Sequence, residues 1–276
     1  MDFMTKNLMV VLIAGAASSW SMMAAEVESE TDEVKQPDAW SFGLSSGVYS
    51  STDPETDKVV SMDLGLSAST PLSLGGDDYS FSVGGALTQE ITHESAGSDT
   101  DISNPSFSLS RSYQIAWVDS LSTSYNGSLG ISSSSQLAEL LFSLGGRVSV
   151  AQSFGLWQGG SSLGYNYSHY AYDQTVGGIA SVPHRLSLGL SLSRKLGEKY
   201  KTGISGSFIR KIDSRDTGSN ATSVKYYMQG AFSDKASVVL GLVVSDSTLR
   251  TDGVSEGFTF WDPAKSYGLI SISYQL

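Results

Sequence analysis

Cysteine is absent from the 276 residues, which excludes the disulfide framework that small exported domains use in place of a large core. Charge is scarce as well, at 16% of the chain against about 25% in soluble domains. The balance is negative, with a formal net charge of −11 and a pI near 4.6, and such a chain offers no basic surface to nucleic acid. Long apolar runs are missing too. Beyond the N-terminus nothing approaches the roughly 18 consecutive apolar residues of a membrane helix, so any passage through a membrane is made by strands. None of the three histidines has a partner at metal-ligand spacing, and no metal or cofactor is expected.

What is present is alternation. Leu186-Ser187-Leu188-Gly189-Leu190-Ser191-Leu192-Ser193 places a large aliphatic residue at every second position and a small polar one between. Successive strand side chains point to opposite faces, so the segment has one apolar face and one of hydroxyls and hydrogens. Val60 to Ser67, Phe107-Ser108-Leu109, Val148-Ser149-Val150 and Ile270 to Tyr274 repeat the pattern. A soluble sandwich would coat its outer face with Lys, Glu, Asp and Arg. Ser and Gly are a poor coat against water but a good lining for a wet interior, which points to an inverted protein with apolar residues toward lipid.

At the N-terminus Lys6 precedes an apolar run from Leu8 to Ala17, then small residues to Ala24-Ala25 and the acidic Glu26-Val27-Glu28. This pattern predicts a signal peptide over 1–25, cleaved near Ala25. Residues 26–38 form a polar acidic stretch expected to be a periplasmic tail, and 39–276 form the strand-bearing domain. About twelve strand-length runs, an even number between ten and fourteen, occur at 39–50, 59–70, 79–90, 106–117, 120–131, 141–152, 156–170, 183–194, 199–210, 223–233, 236–246 and 266–276. Roughly 11 residues is the length a tilted membrane strand requires. Short and long connections alternate after the second run, as in barrels with short periplasmic turns and long outer loops. The Pro71–Asp78 link is of middling length. With both termini periplasmic, the outward residues nearest the periplasm include Trp40, Tyr79, Trp117, Trp157, Tyr200, Phe232 and Tyr274, an aromatic girdle at the lipid interface.

On these residues the chain resembles the outer-membrane β-barrel proteins of Gram-negative bacteria, a porin-like class, from Trp40 to Leu276. Ile270, Ile272, Tyr274 and Leu276 alternate as in the C-terminal strand read by the barrel-insertion machinery, with Leu in the terminal place usually held by an aromatic. The resemblance implies an all-β, up-and-down transmembrane barrel in the outer membrane, in contact with its lipid and lipopolysaccharide.

The inward parity selects Ser108, Ser110, Ser122, Ser124, Asn126, Ser187 and Ser191. Such small side chains leave a barrel of this size largely unfilled. The expected function is a channel for passive diffusion of small hydrophilic solutes, lined also by Asp63 and Arg147 near mid-depth, Arg185, Lys211 and Lys225 toward the outer mouth, and Lys201 toward the periplasm. Loop acids such as Asp53, Glu55, Asp57, Asp99 and Asp252 oppose the inward cations, which leaves ion selectivity open. Phe258, Phe260 and Trp261 in the last long loop suggest a lid.

Two other readings compete. One is a surface-interaction or structural barrel with a blocked lumen. The other is a lipid hydrolase, because His93-Glu94-Ser95 has the His-x-Ser spacing of outer-membrane phospholipase A and lipid A deacylase barrels. Ser95 runs into a Gly- and Ser-rich loop and no orienting third residue is evident, so a non-enzyme is expected. Asp99-Thr100-Asp101 lacks the glycine and third acid of a calcium loop. Arg111 is the one irregularity. Its parity is outward, where a charge at mid-membrane would cost about 2–4 kcal/mol, and either a bulge or a neighbouring subunit is expected there.

Overall fold

Alternating sequence becomes a ring of antiparallel strands. The structure, a computed structural model, describes residues 40–51, 60–90, 100–116, 118–174, 178, 180–247 and 266–275. Strands run in chain order as β1 (Ser41–Ser51), β2 (Val60–Leu74), β3 (Asp77–Glu90), β4 (Thr100–Ile102), β5 (Ser106–Ile115), β6 (Val118–Leu129) and β7 (Leu140–Phe154). They continue as β8 (Trp157–Tyr170), β9 (His184–Lys195), β10 (Tyr200–Ile212), β11 (Gly218–Ser233), β12 (Ala236–Ser247) and β13 (Tyr267–Gln275). Apart from β4 and β5, each strand pairs with its sequence neighbour, and β13 pairs back onto β1 through Gly43↔Gln275 to Ser51↔Tyr267. Because β4 and β5 both pair with β3 and form one broken stave, the result is a closed barrel of twelve staves. Every strand but the short β4, which pairs with β3 alone, has a partner on both sides, and such closure is what permits a sheet to sit in lipid.

Turn chemistry sets the two rims. Leu74 pairs with Asp77, so Gly75-Gly76 alone connect β2 and β3, both with positive φ (65° and 88°), as a type I′ hairpin demands. The middling Pro71–Asp78 link expected from sequence therefore contracts to two residues. Pro71 is absorbed because it lies past Ser69, the last β2 residue paired to β1. Gly155, with φ 64°, opens the equally tight β7–β8 turn. The first residue of β1 and the last of β13 emerge at this short-turn rim, since Gly43 pairs with both Ser67 and Gln275.

The opposite rim carries the longer connections. The fourth stave is broken at 103–105, where Ser103 N–H donates to the Ala86 carbonyl (2.7 Å) and its Oγ accepts from Ala86 N–H (2.6 Å), replacing the ladder. A short helix, α1 (Ser133–Leu137), lies within the segment expected to be loop. Ser132 caps it by accepting from Ser135 N–H at 3.1 Å, and the carboxylate of Asp101 accepts from Ser133 N–H at 2.9 Å. Asp101, half of the weak calcium pair, is thus engaged in holding α1.

Register assigns the faces. Leu64↔Leu87, Leu163↔Leu188, Met228↔Leu240 and Leu240↔Ile270 are outward pairs, and these aliphatics are exposed on the outside of the isolated barrel. Facing inward, serines pair across the ladders and satisfy one another. Ser41–Ser69, Ser82–Ser108, Ser128–Ser143, Ser207–Ser223 and Ser237–Ser273 hydroxyls lie 2.7 to 2.8 Å apart. Lateral bonding of this kind lets a polar wall stand without charge.

Arg111 departs from its sequence reading. It does point outward, but the register Ser80↔Ser110 places it beside Tyr79, close to the β2–β3 hairpin rather than at mid-barrel. Its guanidinium donates to both Asp77 carboxylate oxygens, at 2.5 and 2.6 Å. The rings of Tyr79 and Tyr113 lie 5.5 and 4.7 Å from its central carbon. Neither a bulge at Arg111 nor a second subunit is needed, because a bidentate carboxylate and two rings accommodate the charge at the rim.

Candidate functional site: the barrel lumen

The residues that face the lumen are set by strand parity, and those picked from sequence share that face. Ser108, Ser110, Ser122, Ser124 and Asn126 line β5 and β6. Arg147 follows on β7, opposite Ser124, and Arg185, Ser187 and Ser191 on β9. Lys201 on β10 and Lys225 on β11 complete the set around the ring, while Asp63 stands on β2 between Gly47 and Thr88. Of these, Ser108 and Asp63 are buried and the rest are half-exposed into the interior. Lys225 sits at the middle of β11, deeper than its expected place at the outer mouth.

The lining is small only over part of the ring. From β5 to β10 it is chiefly Ser, Gly and Asn. Across β11, β12, β13 and β1 it includes Tyr227, Val239, Val243, Tyr267, Leu269 and Tyr49. Val243, Tyr267 and Leu269 form a buried cluster against which Tyr49 packs. This corrects the expectation of a lumen lined almost throughout by Ser and Gly. Beside the cluster, Tyr49 and Thr88 donate hydrogen bonds to the Asp63 carboxylate, and the Tyr49 and Tyr267 rings meet edge to face with centroids 5.9 Å apart.

Charge inside the barrel is segregated. Among the described residues the inward carboxylates of the staves are Asp63, Asp78, Glu90 and Asp101, all on β2 to β4. The inward cations are Arg147, Arg185, Lys195, Lys201, Lys211 and Lys225, all on β7 to β11 across the ring. Asp63 is only 8% exposed and hydrogen-bonded, whereas Arg147 and Lys225 at similar depth reach the interior. At mid-depth a mobile solute therefore meets more accessible positive charge on one wall than negative charge on the other, where Asp63 is sequestered and Asp78, Glu90 and Asp101 stand nearer the rims.

Outside, the girdle aromatics Trp40, Tyr79, Trp157, Tyr200, Phe232 and Tyr274 lie at the short-turn rim, with Arg194 stacked 5.4 Å from the Trp157 ring. Trp117 lies outside the described residues. At the other rim His169 and His184 join Phe142, Tyr165 and Tyr167 on the outward face, and Tyr165 Oη lies 2.7 Å from His184 Nδ1. Both histidines are thus part of an aromatic belt. His93, Ser95, Phe258, Phe260 and Trp261 lie outside the described residues.

No family model and no curated protein matches the chain. Solved structures do. An outer membrane channel from Pseudomonas putida F1 superposes with a TM-score of 0.61 at 9% identity, over 91% of this chain and 100% of that one. The fold is that of an outer-membrane β-barrel. The NanC porin (10% identity, TM-score 0.48, 84% of this chain and 97% of that one) and the KdgM porin (9%, 0.46, 84% and 98%) are also similar. At 9% identity the likeness to the Pseudomonas putida channel lies in the fold and not in individual residues.

Proposed function

We propose that the chain is an outer-membrane channel for passive diffusion of small hydrophilic solutes, with both termini in the periplasm, residues 1–25 a signal peptide, 26–38 a periplasmic tail and 39–276 the barrel. The observation that carries this reading is the arc from β5 to β10, where Ser124, Asn126, Ser187 and Ser191 leave the interior half-exposed. Water-filled barrels pass solutes without a catalytic cycle, and the lining needs only to be polar and small. The two-residue turns of the short-turn rim, against the longer connections of the other, support the periplasmic placement of that rim. Contacts with outer-membrane lipid and lipopolysaccharide, and insertion guided by Ile270, Ile272 and Tyr274, follow from the same reading.

Liposomes carrying the purified protein are expected to swell in isosmotic arabinose several times faster than protein-free liposomes. Swelling at the protein-free rate would favour a barrel with a blocked lumen acting through its surface. The apolar cluster of Tyr49, Val243, Tyr267 and Leu269 is the feature that favours that second reading, since it thickens one wall. The chain is proposed to have no enzymatic activity. Replacing Ser95 with Ala is expected to leave phospholipid turnover in outer-membrane vesicles unchanged, and a loss of turnover would establish the hydrolase instead.

A further inference from the structure

We infer that Arg185 and Lys211 form an oxyanion-binding subsite inside the barrel near the long-loop rim, taking a carboxylate, sulfate or phosphate group. The two residues are directly opposite in the β9–β10 ladder, both inward, which holds their Cβ atoms about 4.5–5.5 Å apart. Like charges so placed repel and are destabilising, and the other such pair in this ladder, Lys195 and Lys201, lies at its short-turn end.

Among the described residues no carboxylate comes within ion-pair distance of either side chain, and Arg185 Nε is buried without a hydrogen-bond partner. The acid nearest in sequence, Asp213, is committed to its own turn, accepting from Arg215 N–H at 2.9 Å and Thr217 N–H at 2.8 Å. Glu90 and Asp101 stand on β3 and β4, across the ring. The immediate neighbours are instead neutral and polar. Asn166 is opposite Arg185 on β8 and its amide donates to Ser168 Oγ at 3.4 Å, and Ser219 is opposite Lys211 on β11.

An oxyanion seated between the two cations would accept from the Arg185 guanidinium and the Lys211 ammonium, two charge-assisted bonds of the stronger kind. Arg147, deeper on β7 and also inward, offers the next positive charge along the same wall. The subsite would give the channel a preference for anionic solutes. That consequence rests on the channel reading, but binding at the subsite does not.

Inorganic phosphate is the probe that separates the two. In planar bilayers, phosphate added at constant ionic strength is expected to reduce the single-channel chloride current of the full-length protein in a saturable way. The half-blocking concentration should rise about tenfold or more in Arg185→Gln/Lys211→Gln, as loss of two charge-assisted bonds implies, and stay unchanged in Lys235→Gln at the β11–β12 turn. In parallel, phosphate should raise the heat-denaturation temperature of the detergent-solubilised barrel, and not that of the double variant, whose folding is checked by its heat-modified gel mobility. Current that flows with equal phosphate block in both proteins overturns the subsite and leaves the channel standing. Absent current with phosphate stabilisation confined to the unsubstituted protein overturns the channel and supports the subsite. Neither block nor stabilisation overturns the subsite.

Discussion

Leu188→Arg is expected to lower the unfolding free energy of the barrel in phospholipid vesicles by about 2–4 kcal/mol, the cost of a cation on the lipid face near the bilayer midplane. Ser187→Arg, one residue away, is expected to cost less than about 1 kcal/mol, because lumen substitutions tune passage rather than stability. Leu188 is central in β9 and pairs outward with Leu163 and Phe208, while Ser187 pairs inward with Gly164 and Ile209. Urea unfolding followed by tryptophan fluorescence measures both. Equal costs at the two sites would mean that the faces have been assigned the wrong way round or that neither faces lipid. The lumen variant should also change conductance, and the lipid-facing one should leave it alone once folded.

That pair of residues shows why so much of the fold is legible in the sequence. Over Leu186 to Ser193 each face has a single character, so register and face are fixed together; a slip by one residue would exchange lipid and lumen for the whole strand. The strand limits read from alternation fall within a few residues of those in the structure for the same reason. Legibility fails where both faces share a character. In Val238-Val239-Leu240-Gly241-Leu242-Val243-Val244 the alternation vanishes, and inward Val239 and Val243 look no different from outward Val238 and Leu240. The apolar patch on the lumen wall was hidden by that. The end of β10 misleads in another way, because Ile209 faces inward and Arg210 outward. Arg210 donates to Asn220 at 3.0 Å and its guanidinium lies over Gly218, a packing that no period in the sequence reveals. The subsite pair Arg185 and Lys211 is legible as two inward cations, but their direct opposition depends on the β9–β10 register, which hairpin closure sets and composition does not.

Gly47→Val is expected to destabilise the barrel by about 2–4 kcal/mol, through overpacking combined with an unpaired buried group. A Cβ at Gly47 would sit 2.9 Å from Tyr49 Oη and 3.1 to 3.2 Å from two ring carbons. The tyrosine folds back over the glycine to reach Asp63, which Gly47 itself opposes across the β1–β2 ladder. A branched side chain at 47 pushes on the ring, which cannot retreat freely because Tyr267 and Leu269 back it on the neighbouring strand.

 The buried Val243, Tyr267 and Leu269 lie behind it on β12 and β13. Asp63, 8% exposed and with Oδ1 already lacking a partner, then keeps only Thr88 as a donor, and a buried carboxylate short of donors is costly. Gly43→Ala provides the contrast. Its Cβ would meet the Ser67 hydroxyl at 2.6 Å, a flexible tip that can rotate away, so a change below about 0.5 kcal/mol is expected, as for substitutions that create no lasting clash. A double-mutant cycle isolates the acid. In an Asp63→Asn background the cost of Gly47→Val should shrink by about 1 kcal/mol, because no buried charge is left short of donors. Strict additivity would show that Gly47 matters only for the room it gives the Tyr49 ring, and that the bond to Asp63 contributes nothing to the stability of this wall.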